Sequence, residues 1–330
     1  MKYIILIIVT LLPAAVLLRA ADLTGHKLLV TSVRTGDTEV FIADPTTGDL
    51  FNVSRSPKSE DRYPCWSPDG KRICFMSDRE GTTNLWVCNA DGSKVRRLNR
   101  TPDVCYMPSW QKTPRGERIV FGQHGDKPGL TSIKPDGTDA RSLGEGHDPT
   151  LAPDGKLITY TGHEDGGVTV FVMNHDGTNK RQVVKEISKV GATFPNWSPD
   201  SRQLVYSFPV GDALELFIIN LDSSGQRQLT TFDGTSVCTP SAWSPDAQWI
   251  SFCRTSIRAI TTAAPRIAPR SRVFRARSSA SGISNVSVPR RSAPAPTGGI
   301  CSTPRRKSAS GGSSSPSRQT TPASSKPPPC

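Results

Sequence analysis

The stretch Pro64-Cys65-Trp66-Ser67-Pro68-Asp69-Gly70-Lys71-Arg72-Ile73-Cys74-Phe75 decides how this chain is read. Proline presets φ, aspartate accepts a backbone N–H two residues on, and glycine takes the positive φ of a tight hairpin, so Ser67 to Gly70 is a turn. The apolar run that follows it suits a strand covered by its neighbours. The same signature returns at Trp197-Ser198-Pro199-Asp200 and Trp243-Ser244-Pro245-Asp246. Two degraded copies stand between, at Trp110-Gln111-Lys112-Thr113 and Leu151-Ala152-Pro153-Asp154-Gly155. Successive copies lie 44, 41, 46 and 46 residues apart. That period, filled only with strand-like segments, is the signature of propeller blades.

Each repeat parses into four short strands. After the first turn come Arg118-Ile119-Val120-Phe121, Leu157-Ile158-Thr159-Tyr160 or Gln203-Leu204-Val205-Tyr206, and then a second run such as Asn84-Leu85-Trp86-Val87 or Leu214-Glu215-Leu216-Phe217. An Asp-Gly turn follows at Asp91, Asp136 and Asp176, and a polar outer strand ends in Leu98, Leu143 or Leu229. One blade cannot bury both its faces, so the units must stack around an axis. The fixed place of Trp66, Trp110, Trp197 and Trp243 in each unit assigns them to packing between blades rather than to stacking on sugars or bases.

The run from Pro64 to Phe75 resembles the repeat of the TolB-like propeller family, and the similarity covers residues 27 to 253. The resemblance implies an all-β propeller and says little about function, because sites are grafted onto folds. TolB in that family carries an α/β domain before its blades, whereas here the strand Lys27 to Val33 follows the apolar N-terminus directly, so binding roles that depend on that domain are not carried over. The expected fold is a six-bladed design with its last blade interrupted. Residues 27 to 53 lack their own Trp-Ser-Pro-Asp strand, and the sixth blade, begun at Ala242, stops at Phe252. An open ring with two exposed blade faces is expected; the alternative is that Ala242 to Asp246 pairs with Lys27 to Val33 and closes five blades.

Composition divides the chain in three. Residues 1–21 read as a secretory signal: Lys2, an apolar run from Tyr3 to Leu18, then Ala20 and Ala21. Residues 22–253 are the propeller. Residues 254–330 hold 14 of the 41 basic residues and no acidic one, which leaves the remainder with 27 basic against 29 acidic. The net charge of +12 therefore belongs to a tail rich in Ser, Pro, Arg and Ala that is expected to be disordered, or to be the product of a reading-frame slip. Arg266 to Arg277 lacks interleaved aromatic platforms, so no nucleic-acid partner is expected.

The eight cysteines show no Cys-x-x-Cys pair, so no zinc site is expected, and Cys74, Cys88 and Cys253 read as small apolar strand residues. There is no Gly-x-Ser-x-Gly, no P-loop and no dinucleotide fingerprint. No cofactor, metal or catalytic residue is expected. The enzyme alternative is a metal-dependent uronate lyase drawing on His124, His147, His163 and His175. Of these, His124 and His163 fall at equivalent places in adjacent blades and read as solvent-exposed loop residues. Loops leading into the innermost strands carry Asp61-Arg62-Tyr63, Tyr106, His147-Asp148 and Thr193. Asp61, Arg62, Tyr106, His147 and Asp148 are the candidate partner-binding set of a monomeric scaffold, periplasmic or secreted, that binds a protein or an envelope polymer.

Overall fold

The Ser-Pro-Asp-Gly turn is held by its own side chains. Ser67 Oγ donates to Asp69 Oδ1 at 2.6 Å and accepts from the Arg72 N–H at 2.9 Å, bridging the hairpin. The Ser198 and Ser244 turns repeat both bonds. The left-handed position of this turn is Gly70 and Gly155 in two repeats but Ser201 and Ala247 in two others.

The computed structural model describes residues 3–5, 25–126, 128–189, 193–232, 236–256 and 270–275. These are all strands and turns, with no helix among them. Five sheets are formed. The first holds β1 (Tyr3–Ile5), β2 (Lys27–Ser32), β3 (Glu39–Ala43) and β4 (Leu50–Asn52). The second holds β5 (Asp61–Trp66), β6 (Arg72–Ser77), β7 (Asn84–Asn89) and β8 (Arg96–Arg97). The third holds β9 (Val104–Thr113), β10 (Gly116–His124), β11 (Gly129–Ile133) and β12 (Arg141–Gly144). The fourth holds β13 (His147–Leu151), β14 (Leu157–Glu164), β15 (Gly167–Asn174) and β16 (Arg181–Gln182). The fifth has seven strands: β17 (Asn196–Trp197), β18 (Gln203–Val210), β19 (Ala213–Asn220), β20 (Arg227–Gln228), β21 (Ser236–Trp243), β22 (Trp249–Ser256) and β23 (Arg270–Arg275).

Pairing is antiparallel throughout, with two exceptions. Strand β1 runs parallel to β2, and β21 joins β19 through the single parallel pair Leu214↔Val237. The expected signal lies outside the described residues except for β1. The tail expected to be disordered lies outside them too, except that β22 continues to Ser256 and β23 pairs beside it.

Neighbouring sheets share their cores. Leu29, Val40 and Val53 meet Trp66, Phe75 and Trp86; Leu85 and Leu98 meet Trp110 and Phe121; Val120 and Leu143 meet Leu151 and Tyr160; Val170 and Val184 meet Trp197 and Tyr206. All four repeat tryptophans are buried, as their fixed position requires. The series also returns on itself: Ala242 of β21 packs with Leu28, Val30 and Phe41 of the first sheet. This contact corrects the expectation of two exposed blade faces, because burying Leu28, Val30 and Phe41 against Ala242 removes apolar surface from water. Cys65, Cys74, Cys88 and Cys105 are buried free thiols within this core, and Cys253 is half-buried.

Candidate functional site

Of the residues expected in loops before the innermost strands, Asp61, Arg62, Tyr63, Tyr106, His147 and Asp148 lie within those strands, and Thr193 precedes β17. In four repeats the residue three places before the Trp (or Leu151) position has left-handed backbone: Tyr63 (φ 50°), Met107 (φ 51°), Asp148 (φ 52°) and Phe194 (φ 44°). A proline follows each one. Non-glycine residues rarely adopt this conformation, and it costs about 1–2 kcal/mol each time. In the second, third and fourth sheets it coincides with a register shift against the neighbouring strand. Such bulges re-aim side chains. The residues immediately before are Arg62, Tyr106, His147 and Thr193, so one fold device presents a different side chain from each sheet.

Tyr106 and His147 meet across two sheets, with Tyr106 Oη 3.1 Å from His147 Nδ1. His147 Nε2 lies 3.0 Å from His163 Nε2 at the end of β14. His124, at the end of β10, stacks on Tyr106 with centroids 4.6 Å apart and comes within 5.4 Å of the His147 ring. Gly122 allows this: a Cβ there would sit 2.4 Å from Tyr106 Cζ. His124 and His163 are exposed, as expected, but they stand on strands and belong to one cluster of rings. Burial, then the charges of His163 and His124, hold His147 below the ordinary imidazole range. Burial pushes the Tyr106 hydroxyl upward, with Asp148 adding to the effect.

Asp148 is buried, and desolvation lifts its carboxyl to about 6 against the pull of a hydrogen bond from Thr161 Oγ1 at 3.4 Å. Thr161 Oγ1 in turn lies 2.9 Å from Thr193 Oγ1, which links β14 to the segment that leads into β17. Tyr63 is raised chiefly by desolvation and feels the charges of both Arg62 and Asp148. Arg62 is exposed and paired with Glu60 at 2.5 Å. Asp61 is fully buried and bound to Arg79 at 3.0 Å, so its carboxylate is committed within the second sheet. His175 lies in an outer turn, its backbone N–H bonded to the Lys156 carbonyl. Among the described residues no three His, Cys, Asp or Glu side chains are disposed to hold a metal ion.

The model of the TolB β-propeller domain matches residues 22–191. The chain belongs to the TolB β-propeller domain family. The Tol-Pal system protein TolB of Anaeromyxobacter dehalogenans (strain 2CP-C) is 34% identical over 86 residues, 26% of this chain and 19% of that protein. The TolB homolog of Chlorobium luteolum is 28% identical over 155 residues, covering 46% and 34%. This TolB-like chain thus spans about a third of one of these curated relatives and less of the other. The fold is shared with the putative TolB from Agrobacterium tumefaciens, with a TM-score of 0.54 and 18% identity over 69% of this chain and 80% of that one. It is shared also with an oligogalacturonate lyase in complex with manganese, with a TM-score of 0.51 and 16% identity over 70% and 71%.

Sequence reasoning singled out Tyr106 and His147 but not their contact with His124 and His163. The signal that finds the position is the offset from the repeat Trp: four places before it in every TolB-like repeat stands the side chain that the bulge presents.

Proposed function

We propose that this chain is an exported, non-catalytic TolB-like propeller that acts as a binding scaffold in the cell envelope, periplasmic or secreted, with a protein as its partner. The observation that carries this reading is the ring network Tyr106–His147–His163, which joins two sheets through polar contacts on strained strands. Backbone strain at a ligand-facing position is a cost that a purely structural blade would have no reason to keep. Arg62 completes the proposed surface, and the buried Asp148 and Asp61 serve it indirectly, Asp148 through its bond to Thr161 and Asp61 by anchoring the second sheet. The packing of Trp243 and Ile250 on Val205 and Ile218 repeats that of Trp66 on the first sheet and supports a six-bladed arrangement, β21 to β23 being the sixth unit.

Affinity capture from envelope extract tests the function. Wild-type chain is expected to retain one protein reproducibly, and His147→Ala or Arg62→Ala to cut its retention at least tenfold. Retention unchanged by both substitutions would refute the surface, and turnover of an envelope substrate would refute the non-catalytic role.

A second reading, a metal-dependent uronate lyase, draws on the meeting of three histidines. The donor set does not fit a metal well: the facing nitrogens of His147 and His163 satisfy each other, and His124 is stacked on Tyr106. Metal analysis after dialysis against manganese, with an unsaturated-uronate assay on wild type, His124→Gln and His163→Gln, separates the two readings.

A further inference from the structure

His124, His147 and His163 come together from three strands of two sheets, and their partners are Tyr106 and one another. Among the described residues, no carboxylate is hydrogen-bonded or ion-paired to any of the three. Proton accounting then constrains the pair at 3.0 Å. Two neutral imidazoles share one N–H between their facing nitrogens, since each ring carries one donor and one acceptor. A first added proton preserves that bond, with an imidazolium donating to its neighbour's lone pair. A second puts N–H groups on both facing nitrogens, and both then need an acceptor that the protein does not supply.

We propose that the cluster is a proton-gated receptor for the carboxylates of an acidic peptide segment, the incoming carboxylate accepting from the facing N–H groups of His147 and His163. This rests on the scaffold reading above and names the chemistry of its ligand. The groups around His147 bear it out. Strand β9 contributes Tyr106, β10 contributes His124, and β14 contributes His163 followed by the exposed Glu164. Asp148, the next residue on β13, is buried and bonded to Thr161, and β5 contributes Arg62, already paired with Glu60, and Tyr63. None of these carboxylates is bonded to the imidazoles, so a charge-assisted bond to an outside carboxylate is the strong contact available. Histidines ordinarily charge between about pH 5 and 8, and the lowered affinity of His147 puts the gate in the acidic part of that range. A peptide is favoured over an acidic sugar because Tyr106, the ring that could stack on a pyranose, is already covered by His124.

The test uses the full chain and calorimetric titration at pH 5.5 and pH 8 with tetraglutamate, tetraglutamine and digalacturonate. Nitrogen-15 signals of the histidine rings are followed in parallel. Tetraglutamate is expected to bind at least tenfold more tightly at pH 5.5, to shift the His147 and His163 ring nitrogens, and to outbind both other probes. His163→Gln should abolish the pH dependence to within twofold, while His175→Gln, held in an outer turn, should preserve it. Absent or pH-independent tetraglutamate binding, or unshifted ring signals in the wild type, would overturn the proposal, and tighter digalacturonate binding would overturn the peptide assignment. If envelope capture remains dependent on His147 while tetraglutamate fails, the ligand class alone falls; if both fail, the scaffold reading falls with it.

Discussion

Arg79 donates to Asp61 across 3.0 Å in the second sheet, with the carboxylate wholly out of water and the guanidinium lying over the rings of Phe75 and Trp86. Removing the cation would strand a buried negative charge, a change that costs about 3–5 kcal/mol. Arg79→Ala is accordingly expected to lower unfolding stability by that order in urea titration, whereas Asp61→Asn combined with Arg79→Met should cost much less. Equal losses in the two would show that packing over the rings, and not the ion pair, is what matters.

Asp148 sets a pH dependence of the opposite kind. The fold raises its carboxyl from 3.8 to about 6, so the folded state binds the proton more tightly than the unfolded chain does. Stability must then fall as pH rises from about 4 to about 6, and the burden is fully present at neutral pH. Asp148→Asn removes the burden. The variant should be more stable by about 2–3 kcal/mol at pH 7 and no more stable than wild type at pH 3.5, measured by denaturant unfolding at both values.

The turn after each Trp position offers a matched pair of backbone tests. Ala247 occupies the left-handed place at φ 57°, where glycine sits in other repeats, so Ala247→Gly should raise stability by about 0.5–1 kcal/mol. Gly155 occupies the same place, and a Cβ on it would fall 1.9 Å from the Lys112 carbonyl oxygen. Gly155→Ala should therefore cost more than about 2 kcal/mol through overpacking and strain together. Thermal melting of the two variants is expected to move in opposite directions.

Thiol chemistry reports on the core. Burial pushes Cys88 to about 12 and Cys105 to about 11, and lifts Cys74 well above its ordinary value. Thiolate is the reactive species, so Cys74, Cys88 and Cys105 should resist an aromatic disulfide reagent at pH 8 in the native protein and react at once in guanidinium chloride, and Cys65 should do the same because burial shields it from the reagent. Labelling of any of the four before unfolding, located by mass spectrometry, would show that the sheets open locally.

The repeat was legible because it is local chemistry: Ser67 and Asp69 close a hairpin through bonds that span two to five residues, and the same two letters do so at Ser198 and Ser244. Burial of the repeat tryptophans followed from the same periodicity. The meeting of the first sheet with Ala242 was legible only as an alternative, the pairing of Ala242 to Asp246 with Lys27 to Val33, since it joins residues some two hundred places apart. The site was legible by half. Tyr106 and His147 stand at an offset the repeat defines, but their contact with His124 and His163 depends on a bulge at Met107 and Asp148 and on the bare backbone of Gly122 under the Tyr106 ring. Neither is encoded in spacing, and the left-handed residues are not glycines, so the sequence gives no warning of them. Asp61 shows the converse: charge and position made it a candidate for binding, while burial against Arg79 gives it a structural task.

The last inner strand departs from the pattern in one letter. Pro240 stands three places before Trp243, where the other strands carry a left-handed residue, and a proline ring cannot take positive φ. The bulge there, between Pro240 and Ala242, must be made some other way. Elsewhere the device separates the presented side chain from the residues that build the blade: Arg62, Tyr106 and His147 can each be exchanged without touching a turn or a core tryptophan. The inner face thus behaves like a keyboard with one key per sheet, on which a single codon change rewrites recognition while the instrument itself stays intact.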